Sequence, residues 1–391
     1  MSDGVNPFEG LPMFGEMARA LAGQGPLNWD LARQFAALSV ADPSVSGGSE
    51  PNVDPLARIR LGELARIVEL HVADLTGSDI SFPEVVPVTR TAWAQRTLDD
   101  YRPLFTELAT SLGRRDDEAP TDPMTAMMAN LAGLMAPAMM GMAVGSMVGR
   151  LAVRSFGQYD LPIPRAGSTI SVVAANIDTF ANEWELPVDE MRLWVLAQEL
   201  TAHTLFASPS LRADFTSLVR RYVSGFQPDA DAVGERLADL QGIDAADPSS
   251  AMQRLLGDPA LLLGAVQSPE QAALAPALDA AVAGVVGYVD YLVDSVAVRV
   301  IGGDALRIAE ATRRRRVEAS PDQVFVERLL GLRITNEQVQ RGKAFIGGVV
   351  DRIGERRLSE MFRHPSALPT PAELEAPGLW IARVELSGTD D

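Results

Sequence analysis

Cysteine is absent from this chain of 391 residues, and histidine occurs only three times, as His71, His203 and His364. Without cysteine the protein can form no disulfide, no thiolate metal site and no cysteine nucleophile. A histidine-rich metal site would require three distant residues to converge. The lack of disulfides is typical of a cytosolic protein, and we expect a cytoplasmic location.

Basic residues are also scarce, since 34 Lys and Arg stand against 52 Asp and Glu, for a net charge of −18. Phosphate binding needs clustered Lys and Arg, so we expect no nucleic-acid partner. The first ten residues, MSDGVNPFEG, show no basic segment followed by an apolar run, and we expect no signal peptide.

Three catalytic signatures are missing as well: a glycine-rich phosphate loop, Gly-x-Ser-x-Gly and Cys-x-x-Cys. Nucleotide-binding, serine-hydrolase and redox functions therefore have no support in the sequence.

Apolar spacing predicts a mainly α protein with few or no strands. Residues 1–53 are interrupted by prolines and form an N-terminal arm with one short helix near 28–39, followed by a helical domain over 54–391. Segment 168–183 is predicted as a strand or a short helix. Helices are predicted near 55–76, 90–113, 188–207, 210–224, 230–241, 249–256, 269–280, 277–300, 304–318, 321–331, 335–352 and 354–363.

Residues 124–149 carry no charge and hold eight of the 14 methionines, with Gly141, Gly145 and Gly149 at spacings of four. This pattern predicts a buried helical hairpin that is broken at Pro137, in which glycines allow close helix contact. The segment is also long enough to cross a membrane, so membrane association through 124–149 stays an alternative. Its Ala, Gly and Met composition favours the buried hairpin.

The helix predicted at 188–207 contains Gln198-Glu199-Leu200-Thr201-Ala202-His203. A zincin helix carries His-Glu-x-x-His, in which two histidines on one face bind zinc and the Glu acts as general base. If Glu199 is aligned with that Glu, the two ligand positions hold Gln198 and Ala202. An amide is a poor zinc ligand, and a methyl group is none.

This segment resembles the active-site helix of the type 2 zincin family, a mainly actinobacterial group of zincin-like hydrolases and metallopeptidases. Trp194, Glu199, Thr201, His203 and Phe206 match that helix, and only the two ligands differ. Further short matches occur in family order: Asn6–Pro12, Gly25–Arg33, Gly157–Pro162, Leu330–Leu332, Gln340–Phe345 and Leu368–Leu374. The resemblance implies a zincin-like helical fold and, for the family, a zinc cofactor.

The resemblance also implies a third ligand in a downstream helix, within Glu-Gly-His-x-x-Tyr. The corresponding stretch begins Val286-Gly287-Tyr288, so Val286 replaces the Glu and Tyr288 the His. Loss at both halves of the site predicts a protein that no longer binds zinc. We therefore predict no cofactor and a pseudoenzyme that acts as a binding or regulatory module for a protein or peptide. The sequence does not set the oligomeric state.

One alternative is an active hydrolase or peptidase with a displaced metal site. Glu199 and His203 lie four residues apart, and Asp290 or Asp294 could complete the site. A helix turns about 100° per residue, so this pair should point away from the inherited cleft. The cleft itself is expected to involve Trp194, His203, Tyr288 and Asp290.

Glu199 is expected to be a buried, hydrogen-bonded carboxylate whose burial raises its pKa unless donors surround it. The Gln198 amide is expected to fill the space of the metal. The basic run Arg313–Arg316 is expected on a solvated helix with salt bridges, and a docking patch for an acidic partner is the alternative.

Overall fold

Helices make up most of the computed structural model, which describes residues 25–42, 50, 52–77, 82–113, 123–165, 167, 169–228, 265–266, 268–317, 326, 329–332 and 334–387. The helices are α1 (Trp29–Ala41), α2 (Pro55–Thr76), α3 (Arg90–Asp100), α4 (Arg102–Leu112), α5 (Pro123–Arg154), α6 (Ala174–Glu183), α7 (Val188–Phe206), α8 (Pro209–Ser224), α9 (Pro269–Val300), α10 (Ala305–Val317), α11 (Asn336–Ile353), α12 (Glu355–Met361), α13 (Pro371–Glu375) and α14 (Pro377–Ser387). The prediction of a mainly α fold is confirmed. The helices predicted at 230–241 and 249–256 lie outside the described residues.

Four short strands complete the described part: β1 (Glu84–Pro87), β2 (Thr169–Val172), β3 (Gln227–Pro228) and β4 (Ala265–Val266). β1 and β2 pair in parallel, and β3 and β4 pair antiparallel. Segment 168–183 therefore holds both a strand and a helix. The end of β2 also fixes the chain after α5, because the Val173 backbone N–H donates to the Phe156 carbonyl at 2.7 Å.

Three helix boundaries differ from prediction, and proline explains the errors. α5 continues through Pro137, so a hairpin broken there is wrong. α9 likewise continues through Pro276, which joins the helices predicted at 269–280 and 277–300. In contrast, the helix predicted at 90–113 divides at Tyr101, where Pro103 starts α4 in the position that proline favours.

The glycine stripe of α5 brings α1 into close contact, as the spacing predicted. A Cβ atom on Gly141 would lie 2.3 Å from the Asn28 carbonyl oxygen, and one on Gly145 would lie 2.2 Å from that of Ala32. The Asn28 backbone N–H also donates to the Pro137 carbonyl at 2.9 Å. These contacts, with the buried α1 residues Ala32, Ala36 and Val40, make α1 part of the hydrophobic core.

Two helices are long and apolar enough to cross a membrane by length and composition alone. They are Gly133–Arg154 within α5, with a mean hydropathy of 1.3, and Pro269–Val300, with a mean hydropathy of 1.7. Of the most apolar window of each, 56% and 61% is buried against other parts of the chain. Internal packing therefore accounts for much of their apolar character.

We predict that Gly145→Ala lowers the free energy of unfolding by about 1–3 kcal/mol, because the new methyl group overpacks the α1–α5 contact. Gly62→Ala in α2 is the matched control, since its Cβ would meet nothing within 4 Å. The control should raise stability by about 0.5–1 kcal/mol, because alanine favours a helix. Urea unfolding followed by circular dichroism measures both. Equal effects of the two variants would contradict the close packing.

Candidate functional site

Glu199 is completely buried in α7 and is held by the backbone of the loop that follows α5. The Gln158 N–H donates to Oε2 at 2.9 Å, and the Tyr159 N–H donates to Oε2 at 3.1 Å and to Oε1 at 3.2 Å. Both carboxylate oxygens therefore have backbone partners, and the side chain points into the loop.

Only glycine fits at position 157 of this loop. A Cβ atom there would lie 2.2 Å from the Glu199 carboxyl carbon. Other side chains hold the loop in place: the Trp93 indole N–H donates to the Gly157 carbonyl at 2.9 Å, and Arg165 Nε donates to the Gln158 carbonyl at 2.8 Å. The loop is therefore shaped to cover this carboxylate.

Burial raises the pKa of Glu199 well above its ordinary value of 4.5, and the nearby Asp160 carboxylate raises it further. The two loop N–H groups and the Arg165 guanidinium lower the pKa of Glu199, but by less. Desolvation dominates because the carboxylate has no exposed surface. Glu199 thus favours its protonated form at a pH where an exposed Glu is charged.

The three positions where the resemblance places zinc ligands meet in one cavity. Gln198 and Ala202 come from α7, and Val286 comes from α9. The cavity has a volume of about 30 Å³, enough for one or two water molecules. The remaining lining residues are Tyr159, Asp160, Pro162, Phe206, Val285, Val289, Asp290, Arg316 and Ile334. Glu199 is not among them, because it points into the loop on another face of α7.

A buried ion pair supplies the charge in this cavity. Arg316 Nη1 donates to both carboxylate oxygens of Asp290 at 3.1 Å, and the Asp290 side chain is 8% exposed. Arg316 comes from α10, outside the two helices that carry the zincin-like positions. The guanidinium thus places a protein cation in the cavity lined by Gln198, Ala202 and Val286.

The residues present do not fit a zinc ion. The three inherited positions offer an amide and two hydrocarbon groups, whereas zinc takes thiolate, imidazole or carboxylate ligands. Within the described ranges, no group of three His, Asp or Glu side chains is arranged to hold a metal. Several buried polar atoms of the described residues lack a hydrogen-bond partner, among them the donors Gln158 Nε2 and Arg165 Nη2 and the hydroxyl groups of Tyr101 and Thr201.

The residues proposed for the alternative metal site each form hydrogen bonds or ion pairs with other parts of the protein. His203 Nδ1 lies 3.2 Å from the Tyr159 hydroxyl, and burial lowers the pKa of His203. Asp294 pairs with Arg313 at 2.5 Å and with Lys343 at 3.3 Å. Asp290 has its bond to Arg316, and Glu199 is enclosed by the loop. Each candidate ligand is thus already satisfied within the protein.

The other residues predicted in the cleft divide between the cavity and the core. Asp290 lines the cavity, whereas Trp194, from α7, is buried in the hydrophobic core of the protein. The Tyr288 hydroxyl lies 2.9 Å from Ser359 Oγ, and burial raises the pKa of Tyr288 to about 12. Tyr288 therefore acts as a packing residue in this structure.

Sequence reasoning missed the role of the arginine run. Arg313 and Arg316 form the ion pairs described above, while Arg314 lies over the Trp184 ring and Arg315 over the Phe156 ring at 3.6 Å. The expected salt bridges are present; Arg314 is exposed, whereas Arg313, Arg315 and Arg316 are half-buried against α9 and the loop after α5. The spacing of three residues between Arg313 and Arg316, and of four between Asp290 and Asp294, places each pair on one helix face, and these two faces meet.

A larger groove of about 960 Å³ lies elsewhere, between α4 and α8. Arg220 pairs with Glu107 there, and Arg212 Nε donates to the Phe206 carbonyl at 2.9 Å. None of the residues predicted for the zincin-like site lines this groove. The candidate site is therefore the small cavity between α7 and α9.

The sequence model of one protein family, the zincin-like metallopeptidases, matches residues 27–381. The chain belongs to the zincin-like metallopeptidase family. The match begins just before α1 and ends within α14, so it includes both helices of the candidate site. Family membership gives the fold. The side chains at Gln198, Ala202 and Val286 are where this chain departs from the metal-ligand pattern that the resemblance implies.

A solved structure supports the same fold. It is the crystal structure of a protein from Chloroflexus aurantiacus that was assigned as a hydrolase with a novel fold. The two chains are 22% identical, with a TM-score of 0.59, and the match covers 92% of this chain and 99% of the other. At this identity the likeness concerns the fold alone. No curated protein matches the chain.

We predict that the stability of the wild type falls as pH rises above 4.5, toward the raised pKa of Glu199. The folded state binds this proton more tightly than the unfolded state, so ionisation destabilises the fold by up to about 1.4 kcal/mol per pH unit. Glu199→Gln cannot titrate, and its deficit relative to the wild type should shrink as the pH rises above 4.5. Thermal unfolding at each pH provides the measurement.

Glu373→Gln is the control, because the pKa of Glu373 is lowered in the folded protein whereas that of Glu199 is raised. Burial raises the pKa of Glu373, but the hydrogen bonds from the Arg383 guanidinium and the Thr370 N–H outweigh it and hold the pKa below its ordinary value. The ionised Glu373 stabilises the fold above its unfolded-state pKa, and this contribution is lost as the pH falls through its folded-state pKa. Glu373→Gln should therefore weaken the dependence of stability on pH in the acid range only. A Glu199→Gln profile parallel to that of the wild type would contradict the protonated state of Glu199.

Proposed function

We propose that this protein is a zincin-like pseudoenzyme, which has lost zinc binding and hydrolysis and serves as a cytoplasmic binding or regulatory module. One observation carries the proposal: Gln198, Ala202 and Val286 line a common cavity, and none of them can replace a zinc ligand. A loss at one position would leave a variant site, but all three positions of this site lack a ligand.

The charges around the cavity support the same proposal. Asp290, the acidic residue that α9 contributes to the cavity, is paired with Arg316 and is therefore not free to bind a metal cation. Glu199 needs a metal-bound water to act as a general base, since the metal is what lowers the pKa of that water. Its carboxylate instead accepts two backbone N–H groups and has no exposed surface.

The proposed partner is a protein or peptide. The cavity of about 30 Å³ is too small for a peptide side chain, so the partner would contact the rim of the old cleft. Gln198 and Asp160 are partly exposed at this rim. The net charge of −18 favours a partner with basic or neutral residues at the contact.

The first test measures zinc. We expect the purified wild type to contain far less than one zinc per chain by elemental analysis, after exposure to zinc and gel filtration. We expect the triple variant Gln198→His, Ala202→His, Val286→Glu to retain about one zinc, because it restores a His₂Glu ligand set. Gln198→His alone is the control, since one imidazole does not hold zinc tightly.

Two outcomes would count against the proposal. Stoichiometric zinc in the wild type, with peptidase activity that Glu199→Ala abolishes, would overturn the loss of catalysis. A triple variant that folds normally by circular dichroism yet binds no zinc would show that these three residues do not occupy the former ligand positions.

The second test concerns binding at the rim. A photoreactive phenylalanine analogue in place of Gln198 should yield a discrete cross-linked adduct in the producing cells, because this side chain borders the old cleft. The same analogue at Leu379 is the control, on an exposed part of α14. Identical adduct patterns at the two positions, or none at Gln198, would refute a partner at the cleft.

A further inference from the structure

The outward face of α2 carries a stripe of large apolar side chains with nothing packed over it in the described part of the chain. Leu56 is 72% exposed, Ile59 59%, Ile67 45% and Leu70 73%. With about 100° per residue, the four side chains fall within a sector of about 80°. The stripe is therefore continuous, and it lies opposite the face of α2 that is buried in the core.

The spacing of this stripe is symmetric about Glu63. Leu56 and Leu70 lie seven residues to either side of Glu63, and Ile59 and Ile67 lie four residues to either side. A helix face of this kind is complementary to itself when two copies run antiparallel across a twofold axis. Leu56 of one copy would then face Leu70 of the other, and Ile59 would face Ile67.

The charges on the same face fit this arrangement. Glu63 lies at the centre of the stripe, Arg60 and Arg66 flank it on opposite sides, and all three are exposed. Arg60 Nη1 already donates to Glu63 Oε2 at 3.0 Å within one chain. In the antiparallel pair, Glu63 lies about 4.5 Å along the helix axis from Arg60 and Arg66 of the second copy. The two Glu63 carboxylates would thus lie among four guanidinium groups, of which the two of Arg60 also pair with Asp189 of their own chain at 2.7 Å.

We propose that the protein forms a symmetric homodimer in which α2 packs antiparallel against α2 of a second copy, with the twofold axis at Glu63. The partner is a second copy because one face supplies both halves of an apolar and charge-matched contact. Binding to a different protein would not require the stripe to be symmetric about one residue, whereas a twofold contact between identical helices does. The proposal does not depend on the pseudoenzyme function.

The first experiment is sedimentation equilibrium of the full chain over a range of concentrations. We expect a monomer–dimer equilibrium in the wild type. Leu70→Glu should weaken dimerisation on the order of 30-fold or more, since the change occurs twice in the interface and affects a buried contact. Leu379→Glu, at an exposed leucine of α14, should leave the dimer unchanged. A wild type that stays monomeric at every concentration overturns the proposal.

The second experiment exchanges charges. Glu63→Arg gathers six arginines at the axis, and Arg66→Glu brings four carboxylates together, so each variant alone should be monomeric. Mixed in equal amounts they should form a heterodimer, because the arginine introduced at the axis of one chain then faces two carboxylates of the other. A mixture that stays monomeric, or a loss of dimer with Leu379→Glu as well, contradicts an interface at α2.

The third experiment fixes the register, and the absence of cysteine gives a clean background. Glu63→Cys should cross-link two chains under mild oxidation, because the residue lies beside its own copy at the axis. Leu56→Cys should not, since its copy would lie about 21 Å away along the helix axis. Efficient cross-linking of Leu56→Cys would indicate a different pairing and overturn this one.

Discussion

The carboxylate of Glu199 accepts hydrogen bonds from two consecutive backbone N–H groups, those of Gln158 and Tyr159, in a place with no access to solvent. Burying a carboxyl group without hydrogen-bond partners costs about 1–3 kcal/mol even when it is neutral, so the loop that supplies these donors stabilises the site. The loop can approach only because residue 157 has no side chain. Trp93 and Arg165 then hold its carbonyls, and the Ser171 N–H donates to Gln158 Oε1, which links α3, the loop after α5, β2 and α7 around one buried group.

The same constraint gives Glu199 surroundings that differ from those a general base in a zinc-dependent hydrolase needs. A general base must reach a metal-bound water, whereas Glu199 points into the loop while Gln198 and Ala202 face the cavity. A cation is still present in that cavity, but it is the Arg316 guanidinium paired with Asp290. The cavity between α7 and α9 thus pairs Asp290 with a protein cation, and Gln198, Ala202 and Val286 line it with an amide and two hydrocarbon groups.

Much of the frame could be predicted from local patterns. The helical period of about 3.6 residues predicted α2, α7 and α8 closely, and the glycine spacing predicted a close helix contact at Gly145. The helix ends at proline were harder, because proline favours the first turn of a helix but is also tolerated inside one that is well packed. Pro103 begins α4, whereas Pro137 lies within α5, where its carbonyl accepts the Asn28 N–H. Tertiary packing, rather than the proline itself, decides between these cases.

By itself the sequence determined which side chains occupy the inherited positions, and therefore that Gln198, Ala202 and Val286 offer no zinc ligand. Side-chain chemistry is a property of each residue and needs no fold. The tertiary structure alone decided where the charges lie: Arg316 reaches Asp290 from a third helix, and Glu199 meets a loop 40 residues away. The spacing of the arginines and aspartates shows that each set shares a helix face, but only the packing of α7, α9 and α10 decides that these faces meet.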